Sequence, residues 1–174
     1  ISPLSGIELV EQKVKEFVIM GGQFPSGENE WNFNGDMPGV TKSVVAQIPV
    51  PITFSGFEIG VDIKTGEVFN ELAEDTPLYV GFMHFTEHVP WLDHDFQGRI
   101  LDNSTYDQTA ILYAVRNGEE LYWEKVTDGY CLPDDKGGNE WAKGENQHHS
   151  YLSLLKGKAE MATIIEGFMM NKFE

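Results

Sequence analysis

The sequence predicts an α/β domain built on an open, mostly parallel sheet flanked by helices, and three observations carry that expectation. The apolar run Phe17-Val18-Ile19-Met20 stops at Gly21-Gly22, a second apolar run covers Val50 to Phe57, and a segment with helical spacing lies between them. Strand, loop, helix, strand is the βαβ unit of a parallel sheet, in which strands buried on both faces read as continuous apolar runs.

Taken in order, Gly6 to Val14 sets Ile7, Val10 and Val14 at helical spacing, with Glu8, Glu11 and Lys15 on the other side, and predicts a short amphipathic helix. The Phe17–Met20 run is the first strand. Gln23 to Gly35 is polar, rich in Gly and Asn, and is expected to be a loop. A helix follows through Ala46, with Asp36 as its cap, Pro38 in the first turn and Val40, Val44 and Val45 on one face. Val50 to Phe57 is the second strand. Pro77 to Glu87 reads as a helix and His88 to Asn103 as a loop. Thr105 to Val115 reads as a helix with Ala110, Ile111, Ala114 and Val115 at helical spacing. Beyond the Asn117-Gly118 turn, Leu121 to Val126 and Tyr130 to Pro133 suggest a small hairpin or an edge excursion, then a polar loop to Asn146. Lys156 to Phe173 closes the chain as a helix with Met161, Ile164, Ile165, Phe168 and Met169 on a broad face.

The chain of 174 residues, 41% of them hydrophobic, is long enough for one domain spanning 1–174 with a real core. Its 28 acidic residues against 12 basic ones leave a formal charge of −16, which argues against nucleic acid and anionic membrane as partners. Cations and neutral polar ligands suit such a surface better. One cysteine, Cys131, excludes an intrachain disulfide and a thiolate cluster, and it has no base near it in sequence, so it reads as a buried, inert thiol. No apolar run approaches a membrane span, and no signal peptide opens the chain. The first residue is Ile1 rather than Met, so the N-terminus reads as a cut or a processing site. Both cytoplasm and a periplasmic or secreted setting stay open.

Three groups of residues are suited to chemistry. His84-Phe85-Thr86-Glu87-His88 matches an H-x-x-E-H zinc pattern, in which a helix presents both imidazoles at i and i+4, with Asp93, His94 or Asp95 the available third ligands; a solvated helix end is the plainer reading. His148 and His149 are either a proton donor to a leaving group or an exposed loop ahead of a helix. Asn29, Glu30, Asn32 and Asn34, near the end of the first strand, gather carboxamides and a carboxylate of the kind that hydrogen-bond a polyol, although Asn-rich segments also simply turn the chain.

Five segments in order, Ser2-Pro3-Leu4-Ser5-Gly6, Val14 to Gly22 (VKEFVIMGG), Glu30 to Asp36 (EWNFNGD), Ile48 to Gly60 (IPVPITFSGFEIG) and Tyr106 to Ala110 (YDQTA), resemble the second half of inosine-uridine preferring nucleoside hydrolases. The likeness covers about residues 2 to 116, and Asn146 to Leu152 resembles the bacterial branch more loosely. It implies the C-terminal half of a Rossmann-like nucleoside hydrolase fold, hydrolysis of the N-glycosidic bond of ribonucleosides and a bound Ca²⁺. By the resemblance, Glu30 and Asn32 hold ribose hydroxyls, Asn29 stands in for a further sugar-binding Asn, Met20 lines the sugar site and Asp107 is a calcium ligand. The family's usual His before that Asp is Tyr106 here, which leaves Tyr106, His148 or His149 to assist the leaving base. The family's N-terminal aspartate cluster, which supplies the general base and most calcium ligands, has no counterpart in these residues. The resemblance therefore implies that the chain by itself is incomplete and inactive. Its expected partner is the N-terminal half of the fold as a separate or cleaved chain, or another copy in a homo-oligomer. A non-catalytic nucleoside- or carbohydrate-binding module on the same fold is the alternative.

Overall fold

The computed structural model describes residues 2–35, 37, 39–145 and 147–171, without the side chain of Asp93. In chain order the elements are α1 (Gly6–Lys13), β1 (Phe17–Met20), β2 (Ser26–Gly27), α2 (Trp31–Asn34), α3 (Val40–Gln47), β3 (Ile52–Ser55), α4 (Phe57–Gly60), β4 (Lys64–Thr65), α5 (Pro77–His88), β5 (Asn103–Ser104), α6 (Asp107–Arg116), β6 (Trp123–Val126), β7 (Gly129–Pro133), β8 (Asn139–Lys143), β9 (His149–Leu154) and α7 (Lys158–Met169). They form two compact units, one of Ile1–Val61 with Tyr106–Lys156 and the other of Asp62–Thr105 with Gly157–Glu174. No helix among the described residues is long and apolar enough to cross a membrane.

The first unit carries the expected α/β core. Its main sheet has the order β1-β3-β9-β6, with β1, β3 and β9 parallel and β6 an antiparallel edge. Phe17 lies opposite Ile52, Met20 opposite Ser55, and Ile52 opposite His149. All four residues of β3 are buried. Strand alternation sends Ile52 and Phe54 to one face, where they pack with Phe24, Phe33, Val45, Cys131 and Trp141. Thr53 and Ser55 go to the opposite face. There the Ser55 and Thr109 hydroxyls share a 2.7 Å hydrogen bond, Thr53 bonds Ser150 at 2.9 Å and Glu16, and Lys125 donates to the Tyr113 hydroxyl at 2.8 Å.

That polar face corrects the expected orientation of α6. Ala110 is buried as expected, but Ile111 (60%) and Val115 (73%) are exposed, and Ala114 with them, while Thr109, Leu112 and Tyr113 turn inward. Periodicity counts apolar residues, whereas this sheet face offers hydroxyls and charges, so the helix turns its own hydrogen-bonding side chains toward them.

Other differences have equally local causes. The Gln23–Gly35 stretch is not wholly loop: Ser26–Gly27 pairs antiparallel with β8, and Trp31–Asn34 makes one helical turn. Helix α3 begins at Val40 with Gly39 at the cap position in a left-handed conformation (φ 79°); Asp36 and Pro38 lie outside the described residues. Of its three valines only Val45 is buried. The hairpin is formed by β7 and β8, not by β6 and β7, because β6 leaves to edge the main sheet beside β9. The polar stretch expected to be loop thus contains β8, whose alternation buries Asn139 and Trp141 on either side of the exposed Glu140. With only β3 as a neighbour among the described residues, β1 is the other edge of the main sheet. A groove of about 230 Å³ runs between α1 and α3, lined by Ile7, Val10, Val44, Ile48 and Pro49. Helix α1 starts in a capping box, with Glu8 N–H donating to the Ser5 hydroxyl and Ser5 N–H to the Glu8 carboxylate.

The second unit centres on Ile63, Phe69, Ile100, Met161 and Ile165, all nearly inaccessible to solvent. Strands β4 and β5 pair antiparallel, and the Thr65 and Thr105 hydroxyls bond at 2.7 Å. Helix α5 starts as expected, with Pro77 in its first turn and the Thr76 hydroxyl accepting from Tyr79 N–H at 3.3 Å. Helix α7 buries Met161 and Ile165, two residues of the expected face; the expected end at Phe173 lies outside the described residues.

Candidate functional site

In open parallel sheets, ligands bind beyond the carboxyl ends of the strands. Here β1 leaves the sheet at Met20 and β3 at Ser55, and the two exits are stitched together: Gly21 N–H donates to Ser55 C=O at 3.2 Å and Phe57 N–H to Gly22 C=O at 2.8 Å. Both glycines are needed for space. A Cβ at Gly21 would come within 2.8 Å of the Phe33 ring, and one at Gly22, where φ is 73°, within 2.9 Å.

Glu30 caps α2 from inside the fold. Only 7% exposed, its carboxylate accepts from Gly22 N–H at 2.9 Å, Phe33 N–H at 3.0 Å and Asn32 N–H at 3.1 Å. It therefore joins the α2 turn to the glycine pair after β1. Asn32 faces solvent and donates its side-chain amide to Met20, at 2.9 Å from the sulfur and 3.3 Å from the carbonyl oxygen. Asn29, held at φ 55°, accepts from the Asn34 amide at 2.7 Å. Trp31, at 87% exposure, stands on the same turn. Across the β3 exit, the Phe57 ring stacks on Tyr106, with centroids 5.5 Å apart and planes at 24°. Met20, Glu30 and Asn32 thus meet at one rim, with Asn29 on the adjoining turn, and Tyr106 reaches the rim through Phe57.

The remaining sequence-predicted residues do not gather there. His149 opens β9 opposite Ile52, the first residue of β3, so it sits at the amino end of the sheet, about 10 Å from the carboxyl exits at a rise of about 3.3 Å per residue. It is 4% exposed, lies against Phe54 and accepts the Cys131 N–H on Nδ1. Burial, and then the neighbouring His148, hold its imidazole below the ordinary value. His149 therefore does not reach the carboxyl-end rim, and the expected exposed helix-entry loop is corrected at His149, which is a buried strand start. His148 is exposed beside it at φ 63°, at the same end of the sheet, and its carbonyl accepts from Ile52 N–H. Cys131 is buried, and its thiol is pushed up to about 12 by desolvation, as expected of an inert cysteine.

Asp107 is exposed and is the first residue of α6; the cap position belongs to Tyr106, whose side chain makes no cap bond. Ca²⁺ takes six to eight oxygen ligands. Among the described residues no group of three or more His, Cys, Asp or Glu is assembled to hold a metal ion. Asp107 is thus not gathered with two further side chains of these types among the described residues. The same holds for a three-ligand zinc centre on His84, Glu87 and His88, which share the exposed end of α5; the Asp93 side chain lies outside the described residues.

Two residues that sequence reasoning missed hold the rim in shape. Glu58, in the first turn of α4, accepts from Phe24 N–H at 3.0 Å, and desolvation, with a smaller contribution from the charge of Glu30, keeps its carboxyl above the usual range. A Cβ at Gly56 would overlap the Glu58 carboxylate, so that glycine is the signal a reader of the sequence could have used. Asn139, on β8, accepts from Gln23 N–H and donates to Gln23 C=O, both at 2.9 Å. Its signal was hidden because β8 itself was not foreseen. No protein-family model, curated protein or solved structure matches this chain.

Proposed function

We propose that this chain supplies the sugar-binding side of a nucleoside hydrolase-like site, the C-terminal half of that fold, acting on ribonucleosides. The supporting observation is that Met20, Glu30 and Asn32, which the resemblance assigns to ribose, converge at the carboxyl exits of two parallel strands, although Met20 and Asn32 are 12 residues apart. Asn32 presents a solvent-facing carboxamide for hydroxyls, and Trp31 is an exposed ring beside it. Under this reading, the aspartate cluster that the resemblance requires, with the general base and most ligands of a Ca²⁺ to which Asp107 would contribute one, belongs to a completing polypeptide. The open β1 edge and the groove between α1 and α3 are the surfaces it would cover.

A second reading, a non-catalytic nucleoside- or ribose-binding module, is favoured by one observation: both Glu30 oxygens are already engaged by backbone N–H groups. One experiment separates the two readings. Inosine, uridine and ribose are titrated into the full chain, following tryptophan fluorescence, and base release is assayed with Ca²⁺, with and without a polypeptide carrying an aspartate-rich strand motif. Binding lost in Asn32→Ala, with hydrolysis only in the complemented sample, supports the hydrolase half. Binding without turnover in either sample supports the module. No saturable binding of any of the three overturns both.

A further inference from the structure

The H-x-x-E-H segment lies outside the rim just described and has a geometry of its own. His84 and His88 occupy the last turns of α5, both exposed, with ring centroids 4.1 Å apart and planes at 33°. The Nδ1 atom of His88 is 2.8 Å from the His84 carbonyl oxygen, and Glu87 Oε2 is 3.8 Å from the same nitrogen. A carbonyl oxygen only accepts, so Nδ1 carries the proton and the Nε2 lone pair points away from the backbone. This is the outer-shell bond, ring N–H to backbone carbonyl with a carboxylate close by, that orients metal-ligating histidines.

We propose that His84 and His88 form a two-imidazole chelate for a late first-row divalent ion, of the Cu²⁺, Ni²⁺ and Zn²⁺ class, on the surface of α5. Imidazole suits these borderline ions, and the expected order places Cu²⁺ tightest. Two rings on one ion, each at about 2.0–2.1 Å, have centroids roughly 5 Å apart. The rings need to open by only about 1 Å, which exposed side chains do by torsion. The negative end of the helix dipole and the Glu87 carboxylate both favour a cation at this turn. Since no third protein ligand is assembled among the described residues, the other coordination positions stay open to water or to an incoming donor. That makes the site a chelate rather than a hydrolytic zinc centre. The inference does not depend on the reading of the carboxyl-end rim.

The test is calorimetric titration of the full chain with CuCl₂, ZnCl₂ and CaCl₂, with circular dichroism to check that each variant is folded. The expected result is a single equivalent of Cu²⁺, a weaker single equivalent of Zn²⁺ and no response to Ca²⁺. His84→Gln and His88→Gln should each weaken Cu²⁺ binding by about tenfold or more. The control His148→Gln, which alters an exposed histidine of the first unit, should bind as the parent does. Stoichiometric Cu²⁺ binding that survives in His84→Gln/His88→Gln, or that disappears in the control, overturns the assignment, as does the absence of a Cu²⁺ equivalent in the parent.

Discussion

Removing the Glu30 carboxylate should destabilise the fold and not merely weaken a ligand. In Glu30→Ala three backbone N–H groups lose their acceptor, and those of Gly22 and Phe33 are buried. A buried donor left unpaired costs about 1–3 kcal/mol, more where the lost acceptor was charged. The Asn32 N–H is only partly buried and water can replace its bond, which leaves roughly the ordinary value of a cap, about 1 kcal/mol. Since the three bonds belong to one group and do not add fully, Glu30→Ala should lose about 3–5 kcal/mol. Glu30→Gln, which keeps one acceptor oxygen and sets an amide against a donor, should lose about half as much. Against a typical domain stability of about 5–15 kcal/mol, both shifts are large. Urea unfolding at neutral pH, followed by circular dichroism, measures them as a lower midpoint at unchanged slope. Asn32→Ala, at an exposed position two residues away, should stay within about 0.5 kcal/mol of the parent. If Glu30→Ala and Glu30→Gln both remain within about 0.5 kcal/mol as well, the capping role is wrong and Glu30 is held for some other purpose.

Three further outcomes are expected. Gly56→Ala drives the new methyl into the Glu58 carboxylate and breaks its bond to Phe24 N–H, costing about 1–3 kcal/mol; Gly56→Ala/Glu58→Ala should be no less stable than Glu58→Ala alone, and fully additive losses would contradict the clash. The fold keeps His149 neutral, so protonation favours the unfolded chain: stability should be level above the ordinary histidine value of about 6.5 and fall as the pH drops below it toward the lowered folded value. His149→Gln, which retains an acceptor for Cys131 N–H, should flatten that fall, and an unaltered pH profile between about 6.5 and 5 would refute the assignment. Cys131, 2% exposed with its thiol pushed up to about 12, should resist aromatic disulfide reagents in the folded chain at pH 8 and react fully in urea, so rapid labelling of the native protein would contradict its burial.

Much of the candidate rim was legible without coordinates. Met20-Gly21-Gly22 and Glu30-Trp31-Asn32 stand at the end of one predicted strand, and a parallel sheet sends such ends to a common edge. What could not be read was how the side chains are used there. Glu30 reads as one hydrogen-bonding group among the carboxamides of a polar loop, and its burial as a cap could not be read because it follows from Phe33 folding beneath the glycine pair and carrying the turn inward. His149 was hidden in the same way. His148-His149 reads as loop because its polar neighbours hide the alternation of β9, which emerges only when β3 and β6 supply partners on either side.

Local pattern by itself determined the helices α1, α5 and α7, the strands β1 and β3 and their βαβ linkage, because helix caps, apolar runs and strand-ending glycines act within a few residues of one another. Tertiary structure alone decided the orientation of α6, the pairing of β7 with β8 and the insertion of β9 between β3 and β6. Each of these depends on what lies opposite in space: a polar sheet face for Thr109 and Tyr113 to satisfy, a free strand edge for β6 to pair, a hydroxyl on Thr53 for Ser150 to meet. A buried donor or acceptor must find its partner wherever the chain brings one, and that requirement has no fixed spacing in sequence.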